Sequence, residues 1–154
     1  MMTAIGMMSG TSLDGVDVAL IETDGERVTA FGPTGYRPYS DDERGLLREA
    51  LAEAVNLTRR DARPGVIGEA ERAVTMAHTD AVTAFVARNG IRREDIDIVG
   101  FHGQTVLHRP AQRLTVQIGD AVALAKAIRI PVMHDFRAAD VAAGLPTAVT
   151  VAAA

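Results

Sequence analysis

The sequence has no cysteine and no tryptophan, and only 4% of its 154 residues are aromatic. Without cysteine, the chain forms no disulfide, has no thiolate nucleophile and cannot build a cysteine-ligated zinc site. The absence of cysteine also fits a reducing compartment. Because aromatic residues are scarce, we expect an aliphatic core built from Val, Ile, Leu and Ala.

Long apolar runs and an excess of basic residues are also missing. No apolar stretch reaches the ~18 residues expected of a membrane-spanning helix. The first residues, "MMTAIGMMSG", lack the basic start of a signal peptide. The formal net charge is -4, whereas surfaces that bind nucleic acid are usually basic. We therefore expect a soluble, cytoplasmic protein that binds neither membranes nor nucleic acid.

The composition is that of a globular protein, with 47% hydrophobic and 23% charged residues. Alternating apolar residues predict strands over residues 3–8, 16–21 and 27–37. The Asp24-Gly25 pair predicts a type I′ turn between the second and third strands. A loop over residues 10–15 joins the first two, so the chain is predicted to open as an antiparallel meander.

Helices and strands alternate in the rest of the sequence. Ser40 and Glu43 form a predicted capping box at the start of a helix, and a longer helix over residues 66–88 is predicted to end at Asn89-Gly90. The remaining predicted elements are a strand over 96–101, a hairpin of 104–108 and 113–118, a helix over 121–128 capped by Asp120, and a strand over 130–136. This order predicts an α/β fold with a mixed sheet.

The first segment that could bind a ligand or take part in catalysis is "GTSLDG", residues 10–15. Its glycines allow backbone N–H groups to converge on an anion, Thr11 and Ser12 add hydroxyl donors, and Asp14 could orient Mg²⁺. The segment is not a Walker A loop, because no Gly-Lys-Ser/Thr follows and the next element is a strand. Its spacing alone slightly favours a plain glycine-rich hairpin with Asp14 at a turn position.

The second segment is "GFHGQTVLH", residues 100–108, which follows the end of a buried strand, where α/β sheets usually present ligands. His102, Gln104 and His108 offer donors and acceptors for sugar hydroxyls or a carboxylate. The two histidines have no third His or Cys nearby, which argues against zinc. A polar turn whose histidines cap backbone groups explains the same spacing equally well.

The third segment is "HDFRAAD", residues 134–140, again at the end of a predicted strand. Arg137 could bind a carboxylate or phosphate with two parallel hydrogen bonds, and Asp135 and Asp140 could orient its guanidinium. The alternative is a strand-to-helix cap with a surface ion pair. His78, inside the long predicted helix, is interpreted as a packing or surface residue.

Together these segments resemble the anhydro-N-acetylmuramic acid kinase family. The stretches "GMMSGTSLDGVDVALIETDG", "GFHGQTVLHRP", "TVQIGDAVALA" and "DFRAADVAAG" occur in the family's order between residues 5 and 144. The resemblance implies the N-terminal lobe of a sugar kinase of the Hsp70 and actin superfamily, with a ribonuclease H-like α/β core. It also implies that the full-length form uses ATP and Mg²⁺ to convert 1,6-anhydro-N-acetylmuramic acid to N-acetylmuramic acid 6-phosphate. In that reaction, part of cell-wall recycling, water opens the anhydro ring, and a homodimer is one expected assembly.

The same resemblance implies which residues form the site. ATP-binding residues would be Gly10, Thr11, Ser12, Leu13, Asp14, Gly15, Val16 and Asp17, with Asp14 also near Mg²⁺. Substrate-binding residues would be His102, Gly103, Gln104 and Arg137. The family's general base, an Asp, lies in a later "D-x-G-P-G-N" motif that these 154 residues do not contain, so no catalytic residue is expected in this chain.

The end of the sequence departs from the family pattern. After Gly144 the family continues with a second glycine and "G-A-P-L", whereas this chain reads "LPTAVTVAAA". We expect residues 1–144 to form the lobe, residues 145–154 to be an aberrant or truncated tail, and the C-terminal lobe to be absent. The chain alone is then expected to be inactive. The alternative is a non-catalytic nucleotide- or sugar-binding module that acts through a partner.

Overall fold

The computed structural model describes residues 1–143, which form one mixed sheet flanked by α-helices. The predicted tail, residues 145–154, lies outside the described residues. The elements are β1 (Met2–Ser9), β2 (Gly15–Thr23), β3 (Val28–Pro38), α1 (Asp41–Ala54), α2 (Ile67–Arg88), β4 (Ile98–Arg109), β5 (Leu114–Ile118), α3 (Ala121–Ile128), β6 (Val132–His134) and α4 (Phe136–Ala142). Short 3₁₀ turns lie at Arg93–Asp95 and Pro110–Gln112.

The sheet has the strand order β3-β2-β1-β4-β5, and β6 pairs with the first part of β4. β1, β2 and β3 form the predicted antiparallel meander. β4 runs parallel to β1, and β6 runs parallel to β4. The carboxyl ends of β1 and β6 and the middle of β4 therefore meet at the same edge of the sheet, which we call the carboxyl edge. The predicted α/β fold with a mixed sheet is confirmed.

The core is aliphatic, as predicted. Ile5 and Met7 of β1 and Val16 and Val18 of β2 are buried against the helices. α2 contributes most of its buried side chains to this core because it packs across the sheet. Within residues 1–143, no helix combines the length and apolar character needed to cross a membrane.

Local capping signals set the ends of the helices. The Ser40 hydroxyl accepts from the Glu43 N–H at 3.1 Å, and the Glu43 carboxylate accepts from the Ser40 N–H at 2.8 Å. This is the predicted capping box, and it is confirmed. α2 ends at Asn89, followed by Gly90 with φ of 62°, and Asp120 caps α3 by accepting from the Ala123 N–H at 2.9 Å.

The turn between β2 and β3 differs from the predicted type I′ geometry. Gly25 has φ of 98°, but Asp24 is not among the residues with positive φ, and a type I′ turn needs both. The Asp24 carboxylate instead accepts from the N–H groups of Glu26 and Arg27, at 2.9 and 2.8 Å. The Asp24 side chain thus accepts hydrogen bonds in place of backbone carbonyls, and the loop is longer than the two residues of a type I′ turn.

β4 was predicted as two separate strands, over 96–101 and 104–108, but it is one bent strand. Gly103, with φ of 69°, sits at the bend. There the register with β1 shifts, and the strand begins to pair with β5. The prediction of a strand over 130–136 was too long, because the chain turns at Asp135 and enters α4, which the sequence analysis gave only as an alternative cap.

Candidate functional site

The three candidate ligand-binding segments meet at the carboxyl edge. In the sheet register, Met7 of β1 lies beside Phe101 of β4, and Phe101 lies beside His134 of β6. The glycine loop begins three residues after Met7. His102 directly follows Phe101, and Arg137 lies three residues after His134. The mixed sheet therefore brings together residues that are far apart in sequence.

The glycine loop is a tight turn anchored by Leu13. The Leu13 N–H donates to the Gly10 carbonyl at 3.3 Å, and its side chain is buried although its φ is 55°. Thr11, Ser12 and Asp14 are exposed, as is Asp17 on β2, whereas Val16 is buried. Of the residues predicted to bind ATP, Leu13 and Val16 can therefore offer only backbone atoms.

The two glycines of this loop serve different purposes. A Cβ added at Gly10 would make only ordinary van der Waals contacts, the nearest with the Ser12 hydroxyl at 3.5 Å. A Cβ at Gly15 would lie 2.7 Å from the Tyr36 ring and closer still to the Arg37 carbonyl. Gly15 is therefore required by the packing of β3, while Gly10 leaves room for a ligand to approach the backbone.

Asp14 carries an exposed carboxylate in the same loop. The Ser12 hydroxyl donates to it at 2.8 Å, and this bond lowers the pKa of Asp14 below its ordinary value. Within residues 1–143, no three His, Asp or Glu side chains are grouped so that they could hold a metal ion alone. Magnesium often uses only one or two carboxylates together with nucleotide phosphates, and a single ionised Asp14 fits that arrangement.

His102 and Arg137 form a pair on the other side of the carboxyl edge. The Nδ1 atom of His102 lies 3.0 Å from the Gly103 carbonyl, and the Nε of Arg137 lies 3.3 Å from His102 Nε2. A carbonyl can only accept and the arginine Nε can only donate, so His102 is neutral with its proton on Nδ1. Burial lowers the pKa of His102, and the charge of Arg137 lowers it further.

Arg137 keeps its terminal nitrogens available. Among the described residues, no acceptor is hydrogen-bonded to either Nη group. The prediction that Asp135 orients Arg137 was wrong, because Asp135 has φ of 70° and its carboxylate pairs with Arg60. The neutral His102 fills the orienting role instead. Arg137 therefore retains its full charge and two parallel donors for an anion.

Gly103 and Gln104 are the remaining predicted substrate residues. A Cβ at Gly103 would lie 2.5 Å from the Ile118 carbonyl, so this glycine allows β4 and β5 to approach closely. The Gln104 side chain is 1% exposed and lies beneath the glycine loop. His108 lies farther along β4, where its Nδ1 is 3.1 Å from the Thr115 hydroxyl, and it is not brought to the edge.

The structure also brings to this edge the arginine-rich connection between α1 and α2, for which no function was predicted from the sequence. His102 and Gln117 help to line a small cavity of about 30 Å³. Gln117 also lines a groove of about 420 Å³, together with Arg60, Asp61 and Arg63. Arg63 pairs with Glu71 at 2.9 Å, and Arg60 pairs with Asp135. The sequence signal was the density of arginines in "LTRRDARPG", but their position depends on non-local packing.

The fold and the edge together define the class of protein. An antiparallel meander of β1, β2 and β3, with β4 added parallel to β1 and a glycine loop after β1, forms a ribonuclease H-like lobe of the actin-like ATPase type. The family model described as anhydro-N-acetylmuramic acid kinase matches residues 2–154. The chain belongs to the anhydro-N-acetylmuramic acid kinase family.

Curated relatives carry the same description. The chain is 92% identical over 144 residues to the anhydro-N-acetylmuramic acid kinase of Nitrobacter winogradskyi, covering 94% of this chain and 39% of the relative. It is 80% identical over 143 residues to that of Rhodopseudomonas palustris strain BisB18, covering 93% and 39%. For Methylobacterium nodulans the identity is 58% over 153 residues, covering 93% and 41%. The chain thus spans about two fifths of the length of the curated relatives it matches.

Proposed function

We propose that this chain supplies the phosphate-binding and part of the sugar-binding surface of an ATP-dependent kinase. The proposed reaction converts 1,6-anhydro-N-acetylmuramic acid to N-acetylmuramic acid 6-phosphate, with water opening the anhydro ring, in the cytoplasm. The observation that carries the proposal is the meeting of the glycine loop with the His102–Arg137 pair at the carboxyl edge. The homodimer expected for the full-length form stays a prediction.

The residues of the edge suit phosphoryl transfer, which depends on positioning and charge neutralisation more than on covalent chemistry. In the proposal, the loop from Gly10 to Gly15 holds the ATP phosphates through backbone N–H groups and the Thr11 hydroxyl. Asp14 holds Mg²⁺, which neutralises phosphate charge when bound. Residues 16 and 17 continue this surface along β2, where Asp17 is exposed.

The acceptor side of the proposed site is formed by His102, Gly103 and Arg137. Arg137 binds an anionic group, either the carboxylate of the sugar acid or the phosphoryl group in transfer, through its free Nη groups. His102 holds the guanidinium by accepting from Nε at 3.3 Å. Because His102 is neutral, it orients Arg137 without cancelling its charge. The proposal assigns the adenine pocket and the general base to protein outside the described residues.

A second candidate is a non-catalytic module that binds nucleotide or sugar and acts through a partner. The observation that favours it is that the carboxylate of Asp135 at this edge is already engaged in an ion pair with Arg60. Under this alternative, the chain binds its ligand without turnover and acts through a partner.

A chimeric enzyme distinguishes the two candidates. Residues 1–144 of this chain would replace the matched segment of the Nitrobacter winogradskyi relative, and ADP release would be measured in a coupled assay. We expect turnover that requires Mg-ATP and 1,6-anhydro-N-acetylmuramic acid, with no turnover by the 154-residue chain alone. The unrelated sugar glucose serves as the control. A folded chimera that binds Mg-ATP but never releases ADP would favour the module.

A further inference from the structure

We propose that Gln104, Ser9 and Tyr39 form a buried hydrogen-bonded chain that positions the glycine loop, and that Gln104 is therefore a positioning residue. The ligand assigned to the loop rests on the proposed function, but the chain of bonds does not. The three side chains come from β4, from the end of β1 and from the segment before α1. Their exposed fractions are 1%, 3% and 3%, so water does not replace these bonds.

The bonding partners fix the direction of every bond in this chain. Gln104 Nε2 lies 3.3 Å from the carbonyl oxygens of Gly10 and Thr105. Carbonyls only accept, so the amide nitrogen must face them and the amide oxygen must face Ser9. The Ser9 hydroxyl therefore donates to Gln104 Oε1, and its oxygen accepts from the Tyr39 hydroxyl at 2.9 Å. The donor sequence is Tyr39, Ser9, Gln104, Gly10.

Tyr39 holds the loop at a second point. Its backbone N–H donates to the Asp14 carbonyl at 2.8 Å. The loop is thus held through its first carbonyl by Gln104 and near its last residue by Tyr39, with the buried Leu13 side chain between them. These contacts hold the backbone of Thr11 and Ser12, which lies between them, in a fixed position relative to the sheet.

The support continues behind Tyr39. The Arg37 guanidinium lies over the Tyr39 ring, 5.8 Å from its centroid, and binds both oxygens of Glu43 at 2.6 and 2.8 Å. Glu43 is also the capping residue of α1. Burial raises the pKa of Tyr39, which keeps its hydroxyl protonated as the donor that Ser9 needs. The loop conformation is thereby linked to the start of α1.

A direct sugar contact by Gln104 would require this chain to break. The side chain is almost fully buried, its oxygen accepts from Ser9, and its nitrogen donates to two carbonyls. Gln104 also neighbours Gly103 and His102 along β4. It therefore couples the position of the phosphate-binding loop to the strand that carries the acceptor side, and such fixed relative geometry favours phosphoryl transfer.

Hydrogen exchange on the 154-residue chain tests this inference. The reporters are the N–H groups of Leu13 and Tyr39, which donate within the loop, and the reference is the set of α2 amides in the core. In Gln104→Leu, which leaves the Gly10 carbonyl and the Ser9 hydroxyl without this partner, we expect the reporter amides to exchange about tenfold faster or more. The α2 amides should be unchanged. Tyr39→Phe should give a smaller acceleration, and Tyr36→Phe, the change in the other tyrosine, should give none.

A parallel titration with Mg-ATP, in which binding is monitored by backbone NMR, separates this inference from the proposed function. Weakening of Mg-ATP binding by about tenfold in Gln104→Leu would support both. Faster loop exchange in Gln104→Leu, together with no Mg-ATP binding by the chimeric enzyme that carries the unmodified lobe, would refute the nucleotide role and leave the positioning role intact. Unchanged reporter exchange in folded Gln104→Leu overturns the inference. If Gln104→Leu accelerates exchange of the α2 amides as much as that of the reporter amides, the variant is destabilised as a whole. Tyr39→Phe then provides the test: faster reporter exchange supports the inference, and unchanged reporter exchange overturns it.

Discussion

Gln104 and His78 illustrate two kinds of buried polar residue in this lobe. The amide oxygen and nitrogen of Gln104 are both hydrogen-bonded, whereas only one ring nitrogen of His78 has a hydrogen-bond partner among the described residues. His78 is fully buried in α2, where its Nδ1 donates to the Val74 carbonyl at 2.7 Å and its ring meets Phe101 edge to face at 4.9 Å. Its Nε2 has no partner among the described residues. Burial lowers the pKa of His78 to about 4.

This depressed pKa predicts acid sensitivity of the fold. The unfolded chain binds the proton near the ordinary value of 6.5, whereas the folded chain resists it until about pH 4. Stability contributed by neutral His78 is therefore fully present above about pH 6.5 and is lost as the pH falls toward 4. The expected loss is roughly 3 kcal/mol.

Urea unfolding of the chain at pH 7 and at pH 4.5, with and without His78→Leu, measures this term. The variant should lose much less stability between the two pH values than the unmodified chain. Burial also lowers the pKa of His102 and His108, but both are present in both proteins, so the comparison isolates His78. Equal pH dependence in the two proteins would show that His78 does not control the acid response.

At the residue scale, the sequence predicted the roles of single residues better than the contacts between them. His78 was interpreted as a packing or surface residue, and the structure shows the packing role. Arg137 and His102 were each assigned to the site. Their mutual bond was not predicted, because it joins a residue of β4 to a residue of α4 that only the folded chain brings together. The choice of Asp135 as the partner of Arg137 failed because the left-handed turn at Asp135 directs its carboxylate to Arg60.

At the element scale, α1, α2 and α3 were predicted well, whereas α4 and the strands β4 and β6 were not. The caps at the start of α1, the end of α2 and the start of α3 are local signals, so the sequence places these helix ends to within a residue. β4 was predicted as two strands because "HGQ" interrupts its apolar pattern. The interruption is a bend where the strand exchanges β1 for β5 as its partner, and a change of partner has no local signature.

Because Gly103 lies at the bend of β4, we expect its replacement to lower the free energy of unfolding. Gly103→Ala combines a left-handed φ of 69° with a Cβ only 2.5 Å from the Ile118 carbonyl. We expect a loss of roughly 2 kcal/mol or more in the free energy of unfolding, measured by urea denaturation. The matched control is Gly6→Ala in β1, where a Cβ would meet nothing within 4 Å and the change should stay within about 0.5 kcal/mol. Similar losses in both variants would contradict the special role of the bend.

At the scale of the whole molecule, the sheet topology determines what the site can be. Parallel alignment of β1, β4 and β6 places three separate motifs at one edge. Spacing within any single motif left its interpretation open, and only the order of the motifs pointed to the family that the comparisons then identified. The arginine-rich connection after α1 was missed because its approach to Gln117 depends on how α2 packs.

The central claim is that the carboxyl edge is divided, with the glycine loop binding the nucleotide and Arg137 binding the acceptor. Steady-state kinetics of the chimeric enzyme carrying Arg137→Lys test it most directly, with Arg129→Lys at the exposed end of α3 as the control. Lysine keeps the charge but loses both the bond to His102 and the parallel donors. We predict a fall of about tenfold or more in kcat/KM for the anhydro sugar, an unchanged KM for Mg-ATP, and no effect of Arg129→Lys. A rise in the KM for Mg-ATP with normal use of the sugar would contradict the account.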